Sequence, residues 1–110
     1  MLYIGVDLGT SAVKLLMMDE NGNIQKIVSK ECPLYFPYPG WSEQNPQDWF
    51  AQSMEGIKEL TSECDKSQVA GISFGGQMHG LVVLDKEDQV IRPAILWNDG
   101  RTTKETDYLN

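Results

Sequence analysis

An α/β layer built on a mixed sheet is the fold class that three features predict: three strand patterns in succession at the amino end, one well-capped helix after them, and another apolar strand after the helix. Leu2, Ile4, Val6 and Leu8 alternate with Tyr3, Gly5 and Asp7, the two-residue period of a strand. The run stops at Gly9-Thr10-Ser11, small residues suited to a turn. It resumes as the apolar stretch Val13 to Met18, which is too short and too poorly capped to favour a helix. Asn21-Gly22 predicts a hairpin whose two central residues both take positive φ, and a third strand begins at Ile24. Strands joined by turns this short imply an antiparallel three-strand meander.

Pro33, Pro37 and Pro39-Gly40, interleaved with Tyr35, Phe36 and Tyr38, make an irregular crossing segment. Its prolines bar it from a central strand, and its aromatics imply that it packs down. Asn45 suits the N-cap of the helix that follows, Pro46 its first turn, and Asp48 the positive end of its dipole. Phe50, Met54, Ile57, Thr61 and Cys64 then predict one buried stripe, opposite Glu55, Lys58, Glu59 and Glu63. Val69 to Phe74 reads as a buried strand and Leu81 to Asp85 as another. Val90 to Leu96 reads as a short edge strand, and Thr102 to Asn110 as the polar opening of a helix.

The chain has 110 residues, 16 acidic and 9 basic, for a net charge of -7, with 41% apolar residues. That is material for one packed core, and it excludes a large multidomain enzyme within these residues. The acidic balance argues against a broad nucleic-acid or anionic-lipid surface, while leaving room for a local phosphate site. No apolar stretch approaches the roughly 20 residues that cross a bilayer. The start, Met1 to Gly5, lacks the marks of a signal peptide. Cys32 and Cys64 occur without a C-x-x-C pattern, so thiols in a reducing cytoplasm are the simplest expectation.

Three constellations could carry chemistry. Asp7 closes a strand whose mouth could face a metal, and Thr10, Ser11 and Lys14 could face phosphate oxygens. An ordinary polar hairpin would use the same residues, and neither a P-loop nor a dinucleotide fingerprint is present. Gly75-Gly76-Gln77-Met78-His79-Gly80 allows close approach of a small ligand, with Gln77 and His79 for hydroxyls and Met78 for an apolar carbon face. The alternative is a glycine-rich bend with a surface histidine. Trp97-Asn98-Asp99-Gly100-Arg101 suits a polyol, the ring covering C–H bonds while polar groups take hydroxyls. Its alternative is a core tryptophan followed by an Asp99–Arg101 pair. Trp41 to Gln44 either borders such a cleft or, through Trp41, anchors the irregular segment.

The ordered set Asp7-Leu8-Gly9-Thr10-Ser11 with Lys14, Trp41 to Pro46 with Trp49, Gly75 to Gly80, and Ile95 to Arg101 resembles the amino-terminal part of the FGGY carbohydrate kinases. The likeness runs from Tyr3 to about Thr102. The Gln-Met-His-Gly and Trp-Asn-Asp-Gly-Arg segments favour the branch acting on D-xylulose over those acting on glycerol or gluconate. The resemblance implies the ribonuclease H-like fold of the actin, Hsp70 and sugar kinase superfamily, here as a partial domain, residues 1–110 of domain I. It implies ATP and Mg²⁺ as cofactors, a ketopentose as substrate, xylose catabolism in the cytoplasm, and a homodimer for the full-length protein. It makes Asp7 the carboxylate facing Mg²⁺ and the transferring phosphoryl, and Thr10, Ser11 and Lys14 the phosphate-binding groups. Met78 and His79 take the sugar-contacting place, and Trp97 and Asp99 line or support that pocket. It further implies that these loops meet at one cleft. The family's general base, adenine pocket and FGGY signature lie further along than these residues, so the 110 residues alone are expected not to turn over ATP. Another FGGY kinase, for ribulose, gluconate or a related polyol, or a non-catalytic sugar- or nucleotide-binding module, are the competing readings. Exposed apolar surface on a partial layer also leads to an expectation of self-association.

Overall fold

A computed structural model describes residues 1–110. The chain forms two compact units: Met1–Cys32 with Gln47–Gln77, and Pro33–Pro46 with Met78–Asn110.

In the first unit the expected meander is present. Strand β1 (Leu2–Leu8) pairs antiparallel with β2 (Ala12–Asp19), and β2 pairs antiparallel with β3 (Ile24–Glu31). The β2–β3 turn differs from the expected one. Gly22 has φ +84°, but Asn21 does not have positive φ. Asp19 N–H donates to Asn23 O and Gly22 N–H to Asp19 O, which makes a three-residue loop ending in a left-handed glycine. Asp19 explains the preference: its carboxylate accepts from the amides of Asn21 and Asn23, fixing the longer loop.

Helix α1 (Pro46–Leu60) opens on Pro46 as expected, but its buried side is offset from the expected stripe. Ile57, Thr61 and Cys64 face the core as expected, but Phe50 and Met54 are 71% and 51% exposed, while Ser53, Gly56 and Leu60 are buried. The small residues decide this. A Cβ built on Gly56 would stand 2.4 Å from Leu15 Cδ1, so the helix lies against β2 at a distance only glycine permits. Ile4, Val6, Val13, Leu15, Met17, Val28, Cys32 and Leu60 form the core, flanked by Trp49, Ile57 and Cys64. Both cysteines are free, and burial pushes the Cys32 thiol's pKa up.

A short 3₁₀ turn, Lys66–Gln68, leads into β5 (Val69–Gly76), parallel to β1 and giving the order β3-β2-β1-β5. The mixed sheet is thus as expected, but β5 is not a buried strand: Ile72 and Phe74 are 46% and 63% exposed. It pairs on one side only, and an open groove of about 520 Å³ lies between it and α1, lined by Met54, Ile57, Val69 and Ile72.

The second unit is held by short pairings. Two-residue strands β4 (Glu43–Gln44) and β6 (Ala94–Ile95) pair antiparallel, and Leu81 bridges Ile95. The strand expected over Leu81–Asp85 reduces to isolated bridges, Leu81 to Ile95 and Leu84 to Val90, and the one over Val90–Leu96 to β6. Tyr35, Phe36 and Tyr38 are exposed rather than packed down, although Tyr38 meets the Trp41 ring edge-on with centroids 4.6 Å apart. Helix α2 (Thr103–Leu109) follows where expected. No helix of the chain is long and apolar enough to cross a membrane.

Candidate functional site

Asp7 stands next to last in β1, exposed, with Lys14 of β2 opposite it on one side and Gly75 of β5 on the other. The alternation that buries Ile4 and Val6 against α1 turns Asp7 to the other face of the sheet. There Gly5, Asp7, Lys14, Ile27, Ser73 and Gly75 border a groove of about 500 Å³. Asp7 and Lys14 form no ion pair, so the carboxylate and the ammonium each remain available to a ligand in that groove. The turn after Asp7 is closed by Gly9 N–H to Ala12 O at 3.0 Å, leaving Thr10 half-buried and Ser11 exposed. Beyond β5 the ladder extends one step further, Gln77 N–H donating to Leu8 O at 2.8 Å. The first unit therefore places Asp7 and Lys14 side by side at the end of the β1–β2 hairpin, with Thr10 and Ser11 in the turn that follows.

Met78, His79, Trp97 and Asp99 belong to the second unit. Met78 is 71% exposed, and His79 has φ +61°, in the left-handed region that few non-glycine residues occupy. The chain then enters the Leu81–Ile95 bridge, with bonds of 2.8 and 3.0 Å. Leu96 to Asp99 form a tight turn closed by Asp99 N–H to Leu96 O at 3.1 Å, with Trp97 and Asn98 exposed at its centre.

That turn is fastened from beneath. Leu96 N–H donates to Ser42 O, and Ser42 N–H donates to Asp99 Oδ2 at 2.6 Å. The Asp99 side chain is fully buried. Its Oδ1 accepts from Arg101 N and Nε, both at 2.9 Å, and its Oδ2 also from Arg101 Nη2 at 2.6 Å. Four donors occupy the carboxylate's four acceptor positions, so of the two roles offered for Asp99 the geometry fits support, not contact with a ligand. The Arg101 guanidinium holds the Asp99 carboxyl well below the usual carboxylate range, against the opposing effect of burial. Arg101 in turn lies over the Trp41 ring, 3.7 Å from its centroid, and donates to Glu43 Oε2 at 2.7 Å. Arg92 donates to the same oxygen at 2.5 Å.

Arg92 was not named by the sequence reasoning, and Glu43 only as part of the Trp41–Gln44 segment, without its ion pairs. A signal existed: Glu43 is the lone acidic residue between Glu31 and Asp48, set among prolines and aromatics, where a charge is expected to have a partner.

A model of the FGGY family of carbohydrate kinases, N-terminal domain, matches residues 2–110. A xylulose kinase of Bacillus subtilis is 51% identical over 104 residues, which are 93% of this chain and 21% of that protein. The crystal structure of a xylulose kinase from Rhodospirillum rubrum superposes with TM-score 0.94 at 29% identity, covering 99% of this chain and 23% of its own. That of a kinase from Brucella ovis gives TM-score 0.93 at 44% identity, with 99% and 23% covered. The chain thus spans about a fifth of the length of the relatives it matches. The fold is that of the actin, Hsp70 and sugar kinase superfamily. From the length of that match, the chain belongs to the FGGY family of carbohydrate kinases, within its N-terminal domain.

Proposed function

We propose that the chain is the amino-terminal part of domain I of a xylulokinase, which moves the γ-phosphoryl of ATP to D-xylulose and yields D-xylulose 5-phosphate in the cytoplasm. The observation that carries this reading is the strand mouth: a carboxylate with no ion-pair partner, an ammonium opposite it, and a small polar turn beside them. The half-identical Bacillus relative named a xylulose kinase supports the choice of sugar.

Thr10, Ser11 and Lys14 receive phosphate oxygens and spread their charge. Mg²⁺ fits Asp7, an exposed carboxylate bordering the groove, because this ion commonly takes one or two carboxylates together with substrate phosphates. When bound, it neutralises charge on the transferring phosphoryl. Met78 and Trp97 cover the apolar faces of the sugar, His79 bonds its hydroxyls, and Asp99 supports Trp97 from below. None of residues 1–110 is assigned the general base, and these residues alone are inactive.

The test is ADP release by the full-length protein with Mg-ATP and a panel of D-xylulose, D-ribulose, gluconate and glycerol. The highest kcat/KM is expected with D-xylulose. Preference for another acceptor overturns the sugar, and no turnover with any of them overturns the kinase reading. Light scattering on the same preparation reads the expected homodimer.

A further inference from the structure

The fastening of the Leu96–Asp99 turn has a further member, Glu43, which holds the arginine that grips Asp99. Glu43 is 7% exposed. Its backbone exchanges bonds of 2.9 Å with Tyr35 on one side and pairs with Ile95 on the other. Its carboxylate oxygen Oε2 takes a guanidinium from Arg92 and another from Arg101. Arg101 is thereby confined on three sides: the Trp41 ring, the forked contact to Asp99, and Glu43. With Asp99 counted, two acids face the buried Arg101 and the half-exposed Arg92, so the charge of the cluster sums to zero.

We propose that Glu43 is a positioning residue for sugar recognition: through Arg101 and Asp99 it sets the place of the Trp97-Asn98 turn. The inference rests on the reading of Trp97 as a sugar-facing residue. A guanidinium held by two carboxylates and a ring is fixed more tightly than one held by a single carboxylate and the ring, so losing Glu43 loosens the grip on Asp99 and with it the turn that Asp99 terminates. Misplacement of a recognition group by even an ångström lowers productive binding steeply.

The experiment uses the full-length protein with Glu43→Ala and Glu43→Gln, the second keeping an oxygen acceptor and the side-chain shape. Glu43→Ala is expected to raise KM for D-xylulose about tenfold with KM for ATP unchanged, and Glu43→Gln to restore most of the difference. Hydrogen exchange of the peptide spanning residues 94–102 is expected to accelerate about tenfold in Glu43→Ala, with β1 and β2 unaffected. If Glu43→Ala fails to fold, Glu43→Gln carries both readings, with smaller shifts in the same direction. Unchanged exchange over 94–102, or equal rises in both KM values, overturns the proposal. A parent protein that does not phosphorylate D-xylulose overturns the functional reading instead, and the exchange measurement still decides whether Glu43 holds the turn.

Discussion

Arg101 lies flat on Trp41, its carbon Cζ 3.7 Å from the ring centroid, while its fork grips Asp99. Removing the acid would leave a guanidinium with 10% side-chain exposure facing one remaining carboxylate. Breaking a buried pair from one side costs about 3–5 kcal/mol, so Asp99→Asn is expected to destabilise by about that much in chemical denaturation.

The same pair predicts a pH dependence. The Asp99 carboxyl lies below its ordinary value of 3.8 in the folded state, so the unfolded chain takes up the proton first as pH falls. The stabilisation is complete above about pH 4 and is lost progressively below it. Denaturation midpoints from pH 7 to 3 should stay level at first and then fall. In Asp99→Asn the fall should be shallower, from a lower start.

Gly56 makes a second prediction because two effects oppose each other there. Alanine favours a helix interior over glycine by up to about 1 kcal/mol. Its Cβ, however, would meet Leu15 Cδ1 at 2.4 Å, and Leu15 is 1% exposed. Overpacking of that kind costs about 1–3 kcal/mol, so Gly56→Ala should destabilise on balance. Combined with Leu15→Val the two changes should be non-additive, the double variant losing less than the sum of the singles.

His79 separates stability from function. At φ +61° alanine is strained where glycine is not, so His79→Gly should be more stable than His79→Ala by about 1 kcal/mol. Both variants should show the same rise in KM for D-xylulose in the full-length enzyme. A difference in sugar affinity between them would assign the effect to backbone shape, not to the imidazole.

Asp7→Asn keeps the size of the side chain and removes its charge. On the proposed reading of Asp7 as the carboxylate beside the transferring phosphoryl, kcat of the full-length protein should drop about 100-fold or more with KM for D-xylulose little altered, since that charge would act in the transition state. Steady-state kinetics at saturating Mg-ATP checks it.

What could be read in advance follows the range of the forces involved. The meander was legible because Leu2, Ile4, Val6 and Leu8 alternate over a full strand, and Pro46 marked the helix start for equally local reasons. Of the expected α1 stripe, Ile57, Thr61 and Cys64 do face the core, but Phe50 and Met54 were misjudged because apolar size was taken as the sign of burial, whereas Ser53 and Gly56 are inside for being small. The Asn21-Gly22 turn was misjudged because Asp19, outside the dipeptide, sets the loop. Asp7 and Lys14 were legible as neighbours from the hairpin alone. The Asp99–Arg101 pair was legible from its close spacing, but its extension to Glu43 and Arg92 was not, because β4 and β6 have two residues each and Glu43 meets its arginines far along the chain.

That remoteness matters while the polypeptide is being made. Glu43 leaves the ribosome 49 residues ahead of Arg92 and 58 ahead of Arg101. At roughly 5–20 residues per second, it waits several seconds for its cations. During translation the hairpins of the first unit can close as they emerge, whereas Trp41 and its acidic neighbour stay wet and unmatched.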